Sequence, residues 1–222
     1  MNNERKVAVI TGASQGIGAA LVEAYRARNY RVVATAWSIK PSKDADFLAV
    51  PGDIADRKTA ERMVLEGVAR FGRINTLVKN AGVLIATPFT DYTADDYATI
   101  LGVNVTGFFH GTQLAIVEME KQNGGHVVQI TTSLVDNAFS GIPSALASLT
   151  KGDLNAATRS LAIAYAKRKI RVNALALGVI KTPMHPVETH AAGRPPSHGS
   201  HGRGFRRRRC GHVPRVGGLR DR

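Results

Sequence analysis

The stretch TGASQGIG at residues 11–18 constrains this chain more than any other. It follows the apolar run KVAVI directly and precedes a helical pattern directly. Strand, glycine turn and helix start, in that order, bring backbone N–H groups and a helix N-terminus up to a pyrophosphate. Gly12 permits the tight turn, Gly16 lets a phosphate approach the backbone, and Gly18 lets the helix pack close to the strand. Glycine-rich turns are common, so the motif alone is weak. Its place directly after an apolar strand gives it weight as a dinucleotide site.

A length of 222 residues with 44% hydrophobic content leaves room for one sizeable α/β domain. The apolar runs are short and interrupted, and residues 1–6, MNNERK, show no apolar leader, so no membrane span or secretory signal is expected. A single cysteine, Cys210, excludes an internal disulfide and suits a reducing, cytoplasmic setting. The net charge of +13 would suggest nucleic acid if it were spread over the chain. Instead +8 of it sits in residues 193–222, which hold nine arginines and one acid, Asp221, and the rest of the chain carries +5. Nucleic acid is therefore not the expected partner.

Short Val- and Ile-rich runs alternate with helical patterns. Strands are expected at residues 6–10, 31–36, 47–50, 74–78, 126–131 and 170–175, and helices at 16–29, 56–71, 94–122 and 147–167. In the last helix Leu149, Leu154, Ala157, Leu161 and Ala164 recur at helical spacing. Alternating β and α units imply right-handed crossovers and a parallel sheet covered on both faces.

Further fragments fall in order behind the glycine motif: KNAG at 79–82, Asn104 within a helical pattern, Ser133 after the fifth strand, and Lys151 on the next helix. Together these resemble the short-chain dehydrogenase/reductase family over about residues 5–190. The resemblance implies a single-domain, doubly wound Rossmann fold over 1–190 that passes hydride between NAD(P)(H) and a small alcohol or carbonyl. It implies that Gly12, Ser14, Gly16, Ile17 and Gly18 form the phosphate loop. Asp53, followed by Ile54, would hold the adenine, and Asn80, Ala81 and Gly82 would lie along the adenosine ribose. Gly178, Ile180 and Thr182 would meet the nicotinamide carboxamide, and Asn104, Ser133 and Lys151 would be three members of a catalytic tetrad, with Lys151 also touching cofactor. No metal is implied. A dimer or tetramer through the two long helices is the family's usual assembly.

The residue types suit that chemistry. A carbonyl accepting hydride develops negative charge and needs a preorganised donor such as the Ser133 hydroxyl. A nearby Lys⁺ lowers the pKa of a phenol that delivers the proton, and Asn104 is expected to hold a water that relays the proton to solvent. Each match has a plainer reading taken singly: Ser133 as a turn or cap, Lys151 as a solvated helix face, Asn104 as an exposed helix residue, Asp53 as a turn acid. Only their joint order favours the functional reading.

Four positions depart from the family pattern. The tyrosine expected one helical turn before Lys151 is Ala147, and Tyr97 and Tyr165 are out of register to replace it. Lys79 stands where the family usually has Asn, and Leu177 where Pro usually precedes Gly178. The end of the second strand, ATAWS, has neither the acid that marks NAD nor an Arg for the NADP phosphate, with Trp37 in that place. The cofactor is therefore NAD or NADP, with a lean to NADP because no acid repels the extra phosphate. The loss at Ala147 implies an impaired oxidoreductase; the alternative is a non-catalytic dinucleotide-binding protein.

Residues 191–222 form a basic Gly/Arg-rich tail with no periodicity, expected to be disordered. Back-translated with GC-rich codons and reread one nucleotide later, the stretch from Gly193 resembles the family's C-terminal helix and the start of its last strand. The tail is thus expected to be a frameshift product, and the sheet to lack its last strand, leaving an open edge.

Overall fold

The computed structural model describes residues 5–183. Six strands, β1 (Val7–Thr11), β2 (Arg31–Ala36), β3 (Phe47–Pro51), β4 (Thr76–Lys79), β5 (Gly125–Thr132) and β6 (Ile170–Leu177), form one all-parallel sheet in the order β3-β2-β1-β4-β5-β6. The helices are α1 (Gly16–Ala27), α2 (Arg57–Phe71), α3 (Ala94–Leu101), α4 (Gly107–Lys121) and α5 (Ala145–Tyr165). The order reverses between β1 and β4, which opens a crevice at the carboxyl ends of these strands.

Two apolar layers explain the wrapping. Val7, Val9, Leu77 and Val127 point to one face and meet Met63 and Val64 of α2, Ile116 and Met119 of α4, and Leu161 of α5. Ala8, Ile10, Val32 and Ala34 point to the other and meet Leu21, Val22 and Tyr25 of α1. Alternation along strands buried on both sides produces this pattern. Helix ends follow local chemistry. Asp56 caps α2 through the Lys58 N–H, left-handed Gly72 ends it, and Thr93 with Asp96 forms a reciprocal capping box on α3.

The expected elements are all present, β2 with the expected ends and the others with shifted ones. The fourth strand begins at Thr76, after Asn75, whose side chain accepts the Val7 N–H at 2.8 Å. The helix expected at 94–122 is interrupted by a π turn at Gly102–Thr106 between α3 and α4. Counted through that turn, Ala94–Lys121 is one helix long and apolar enough to cross a membrane, which corrects the expectation that the chain has no such stretch. Ile100, Phe108, Ala115, Ile116 and Met119 from it are buried in the protein core.

Among the described residues β6 is a sheet edge. Asn173, Ala174, Leu175 and Ala176 are exposed along it, Leu175 by 52%, and the expected absence of a last strand concerns residues outside those described. The tail at 191–222, and with it the frameshift expectation, lies outside the described residues.

Candidate active site

The carboxyl ends of β1, β4, β5 and β6 carry the expected site residues to one end of the sheet. At the end of β1 the backbone turns through Gly12, at φ +66°, into α1. A side chain at Gly12 would meet the Ala81 backbone at 2.8 Å, and one at Gly18 would sit 2.0 Å from the Gly12 carbonyl oxygen. The loop is therefore closed against both β4 and its own helix. Gln15 caps α1 without a side-chain bond, and the first turn of α1 has no acid, so its N–H groups and positive dipole end are available to an anion. Ser14 is exposed and Ile17 half-buried on this loop.

Asn80 locks the loop from the side. Its Nδ2 donates to the carbonyls of Thr11 and Gly12 at 3.0 and 3.1 Å, while Thr11 Oγ1 accepts from the N–H groups of Asn80 and Ala81. The side chain expected along a ribose is thus committed to the phosphate loop, and the backbone of 80–82 forms the wall. Asp53 makes a turn by accepting the Ala55 N–H at 2.9 Å, with Ile54 buried behind it. Thr182 comes within contact of a side chain placed at Gly16, which brings the 178–182 turn over the phosphate loop. Ile180 is exposed by 39% on that turn.

Asn104 is fully buried in the π turn. Its Oδ1 accepts the Val83 N–H at 3.0 Å, and its Nδ2 donates to the Val83 carbonyl and to Thr150 Oγ1, both at 3.1 Å. The side chain expected to hold a relay water is thus fully engaged by protein. π turns widen the backbone spacing and recur at functional sites; this one aims Asn104 at the 82–83 backbone. Lys151 approaches from α5. A side chain at Gly82 would lie 2.8 Å from Lys151 Nζ and 3.2 Å from Asn104 Oδ1, so both converge on Gly82. Lys151 Nζ donates to the Ile130 carbonyl at 3.0 Å, and burial pushes its ammonium down to about 8.

Ser133 opens a short 3₁₀ turn after β5, and its Oγ is 4.0 Å from a side chain placed at Gly178, bringing β5 and β6 ends together. Ala147 is buried in the first turn of α5, one turn before Lys151. Tyr165 lies at the other end of α5, about 27 Å along the helix at 1.5 Å per residue, and Tyr97 is exposed on α3.

Two residues of this site have roles that sequence reasoning did not assign. Thr150 anchors Asn104 and bonds back to the Leu146 carbonyl at 2.9 Å, but a threonine in a helical run carries no signal. Lys79, visible only as a departure from pattern, is 1% exposed, and its Nζ donates to the Ala81 and Val103 carbonyls at 3.2 Å each. Burial, with the like charge of Lys151 adding to it, pushes Lys79 down to about 7.

The family model described as short chain dehydrogenase matches residues 6–192. This chain belongs to the short-chain dehydrogenase family. Its relatives include an uncharacterised oxidoreductase of Methylorubrum extorquens, 36% identical over 200 residues, covering 86% of this chain and 77% of that protein. Among solved structures it is similar to a 3-ketoacyl-(acyl-carrier-protein) reductase from Brucella melitensis complexed with NADH. That match has a TM-score of 0.77 and 26% identity, and covers 82% of this chain and 78% of the other. It is also similar to ElxO with NADP bound, with a TM-score of 0.75, 25% identity and coverage of 81% and 75%. Family members of this fold are NAD(P)-dependent oxidoreductases, and the six-stranded parallel sheet here matches theirs.

Proposed function

We propose that this chain binds NADH or NADPH across the 11–18 loop and catalyses slow hydride exchange with a small alcohol or carbonyl. The observation that carries the reading is the convergence on Gly82 of Lys151 and Asn104, beside a loop whose geometry admits no side chain at Gly12 or Gly18. The left-handed backbone at Gly12 and Gly16 and the start of α1, which has no side-chain cap, fit a dinucleotide pyrophosphate. The backbone N–H groups of 12–18 would hold the pyrophosphate, Asp53 and Ile54 the adenine, and Gly178, Ile180 and Thr182 the carboxamide. The nicotinamide of such a group supplies or accepts the hydride.

Ser133 would donate its O–H to the substrate oxygen as charge develops there. Lys151, held by the Ile130 carbonyl, would keep a positive charge or a proton beside it. With Ala147 in place of a phenol, the proton has to come from water, and losing a placed acid costs about 10²- to 10⁴-fold in rate. The absence of an acid at the end of β2, where Trp37 stands 72% exposed, favours NADPH over NADH. Assembly into a cytoplasmic dimer or tetramer through α4 and α5 is part of the same reading; Phe109 and Val117 on α4 and Ile163 on α5 present apolar surface for it.

A second reading, a dinucleotide-binding protein without turnover, is favoured by Ala147 itself. Assaying NADH and NADPH oxidation against a panel of carbonyls separates the two. Turnover that increases in Ala147→Tyr supports the enzyme reading; silence of both forms while cofactor binds supports the second.

A further inference from the structure

Lys79 closes β4 on the face covered by α4 and α5, and it is among the largest side chains that are fully buried. Both of its acceptors are backbone carbonyls: Ala81, in the wall of the cofactor cleft, and Val103, the residue before Asn104. One ammonium therefore ties the 80–82 wall to the π turn. Among the described residues, no charge of opposite sign acts on it. β1 ends in Thr11, β5 brings Gln129, the π turn brings Asn104, and the charge acting from α5 is that of Lys151.

Gln129 is the register partner of Lys79 on β5, so the two side chains leave the same face of neighbouring strands about 4.8 Å apart. It is fully buried, and neither Oε1 nor Nε2 has a hydrogen-bond partner among the described residues. A buried carboxamide with all its capacity unused is rare and costly. A neutral amine has two N–H donors, which the two carbonyls satisfy, whereas an ammonium has three. An unused acceptor, Gln129 Oε1, is carried by the register partner of Lys79.

We propose that Lys79 is a positioning residue whose protonation, received by Gln129, tightens the hold on the Ala81 and Val103 carbonyls and so firms the cofactor wall. Charge-assisted bonds are stronger than neutral ones, and a cation behind the wall also favours an anionic dinucleotide. Affinity for NADH and NADPH then falls as pH rises through neutrality. This last consequence rests on the dinucleotide reading; the pairing itself does not.

The test uses the full chain, without cofactor, labelled with ¹³C in lysine and ¹⁵N in the backbone. The Lys79 Cε resonance, assigned by its loss in Lys79→Met, is followed from pH 5.5 to 10 together with the Gly82 and Val83 amides. The pairing predicts a Lys79 midpoint near neutrality, amide shifts with the same midpoint, and a fall of about one pH unit in Gln129→Met. A midpoint in the ordinary lysine range, amides that do not follow it, or an unmoved midpoint in Gln129→Met overturns it. Titrations with NADPH and NADH at pH 6 and pH 8 then read the consequence. About 3- to 10-fold weaker binding at pH 8 is expected in the wild type. That step should be lost in Lys79→Met, and its persistence there contradicts the positioning role. If neither nucleotide binds at either pH, the dinucleotide reading fails, and the spectra still decide the pairing.

Discussion

Asn104 and Val83 are tied in both directions. The Asn104 Oδ1 accepts the Val83 N–H at 3.0 Å and its Nδ2 donates to the Val83 carbonyl at 3.1 Å. This pair fastens the π turn to the segment after β4, so it fixes the distance between α4 and the cofactor wall. Asn104→Ala takes the partner from both the Val83 N–H and the Val83 carbonyl, while the Thr150 hydroxyl keeps its bond to the Leu146 carbonyl. Unsatisfied buried groups cost about 1–3 kcal/mol each, and partial relaxation brings the expected total to about 3 kcal/mol. Urea unfolding of the two proteins checks it; a loss below about 1 kcal/mol means the turn is held by other contacts.

Gly18→Ala places a methyl 2.0 Å from the Gly12 carbonyl oxygen, which forces loop and helix apart. Nucleotide affinity should fall by at least about 30-fold, or about 2 kcal/mol. Gly72→Ala is the matched control, because φ is +80° there but nothing lies within 4 Å. It should cost about 1 kcal/mol of stability and leave NADPH titrations unchanged. Equal effects of the two variants on binding would show that the loop is not where the nucleotide sits.

Much of this was legible in the sequence. The β2 strand has the expected bounds because an apolar, β-branched run lies between an Asn at 29 and the polar stretch after 36. Asn29 itself takes a left-handed conformation, φ 62°, which ends α1 two residues before the helical pattern stops. The glycine loop, Asn80, Asn104, Ser133 and Lys151, singled out by their order in the sequence, gather at one end of the sheet. The π turn was not legible, because inserting a π register changes hydrogen bonding while leaving residue types ordinary for a helix. Nor was the burial of Lys79. In a string such as KNAG a lysine reads as solvent-facing, and only the neighbouring carbonyls and Gln129 make an interior place for it.

The depressed Lys79 makes stability depend on pH in a defined direction. Its folded value is about 7 against an ordinary 10.5, so between these values the unfolded chain binds more protons than the folded one. Stability contributed through this group therefore rises with pH from about 7 to 10.5 and is flat below 7. Lys79→Met removes that slope, so the stability difference between variant and wild type should move in favour of the wild type by an amount on the order of 4 kcal/mol as pH rises from 7 to 10.5. Chemical denaturation at pH 7 and pH 10 tests it. Lys151 is present in both proteins, so its own titration cancels from the difference. A difference between the two proteins that is independent of pH contradicts the buried near-neutral amine.

Ala147→Tyr restores a phenol one turn before Lys151 on α5. Carbonyl-dependent NADPH oxidation should rise by about 10²- to 10⁴-fold over the wild type. The gain should be lost again in the double variant with Lys151→Met. A rise that survives removal of Lys151 would mean that the tyrosine acts without the lysine, against the geometry argued for the site.

The central claim is that the 11–18 loop, Asn80 and the 80–82 wall form a working dinucleotide site whatever the fate of catalysis. Trp37 is the chain's single tryptophan and stands exposed at the end of β2, where the adenosine would lie, so its fluorescence reports binding directly. Titration of the purified chain with NADPH and NADH should give a saturable change in Trp37 emission, tighter for NADPH and abolished by Gly18→Ala. No saturable change with either nucleotide, confirmed by calorimetry on a folded sample, would contradict the account.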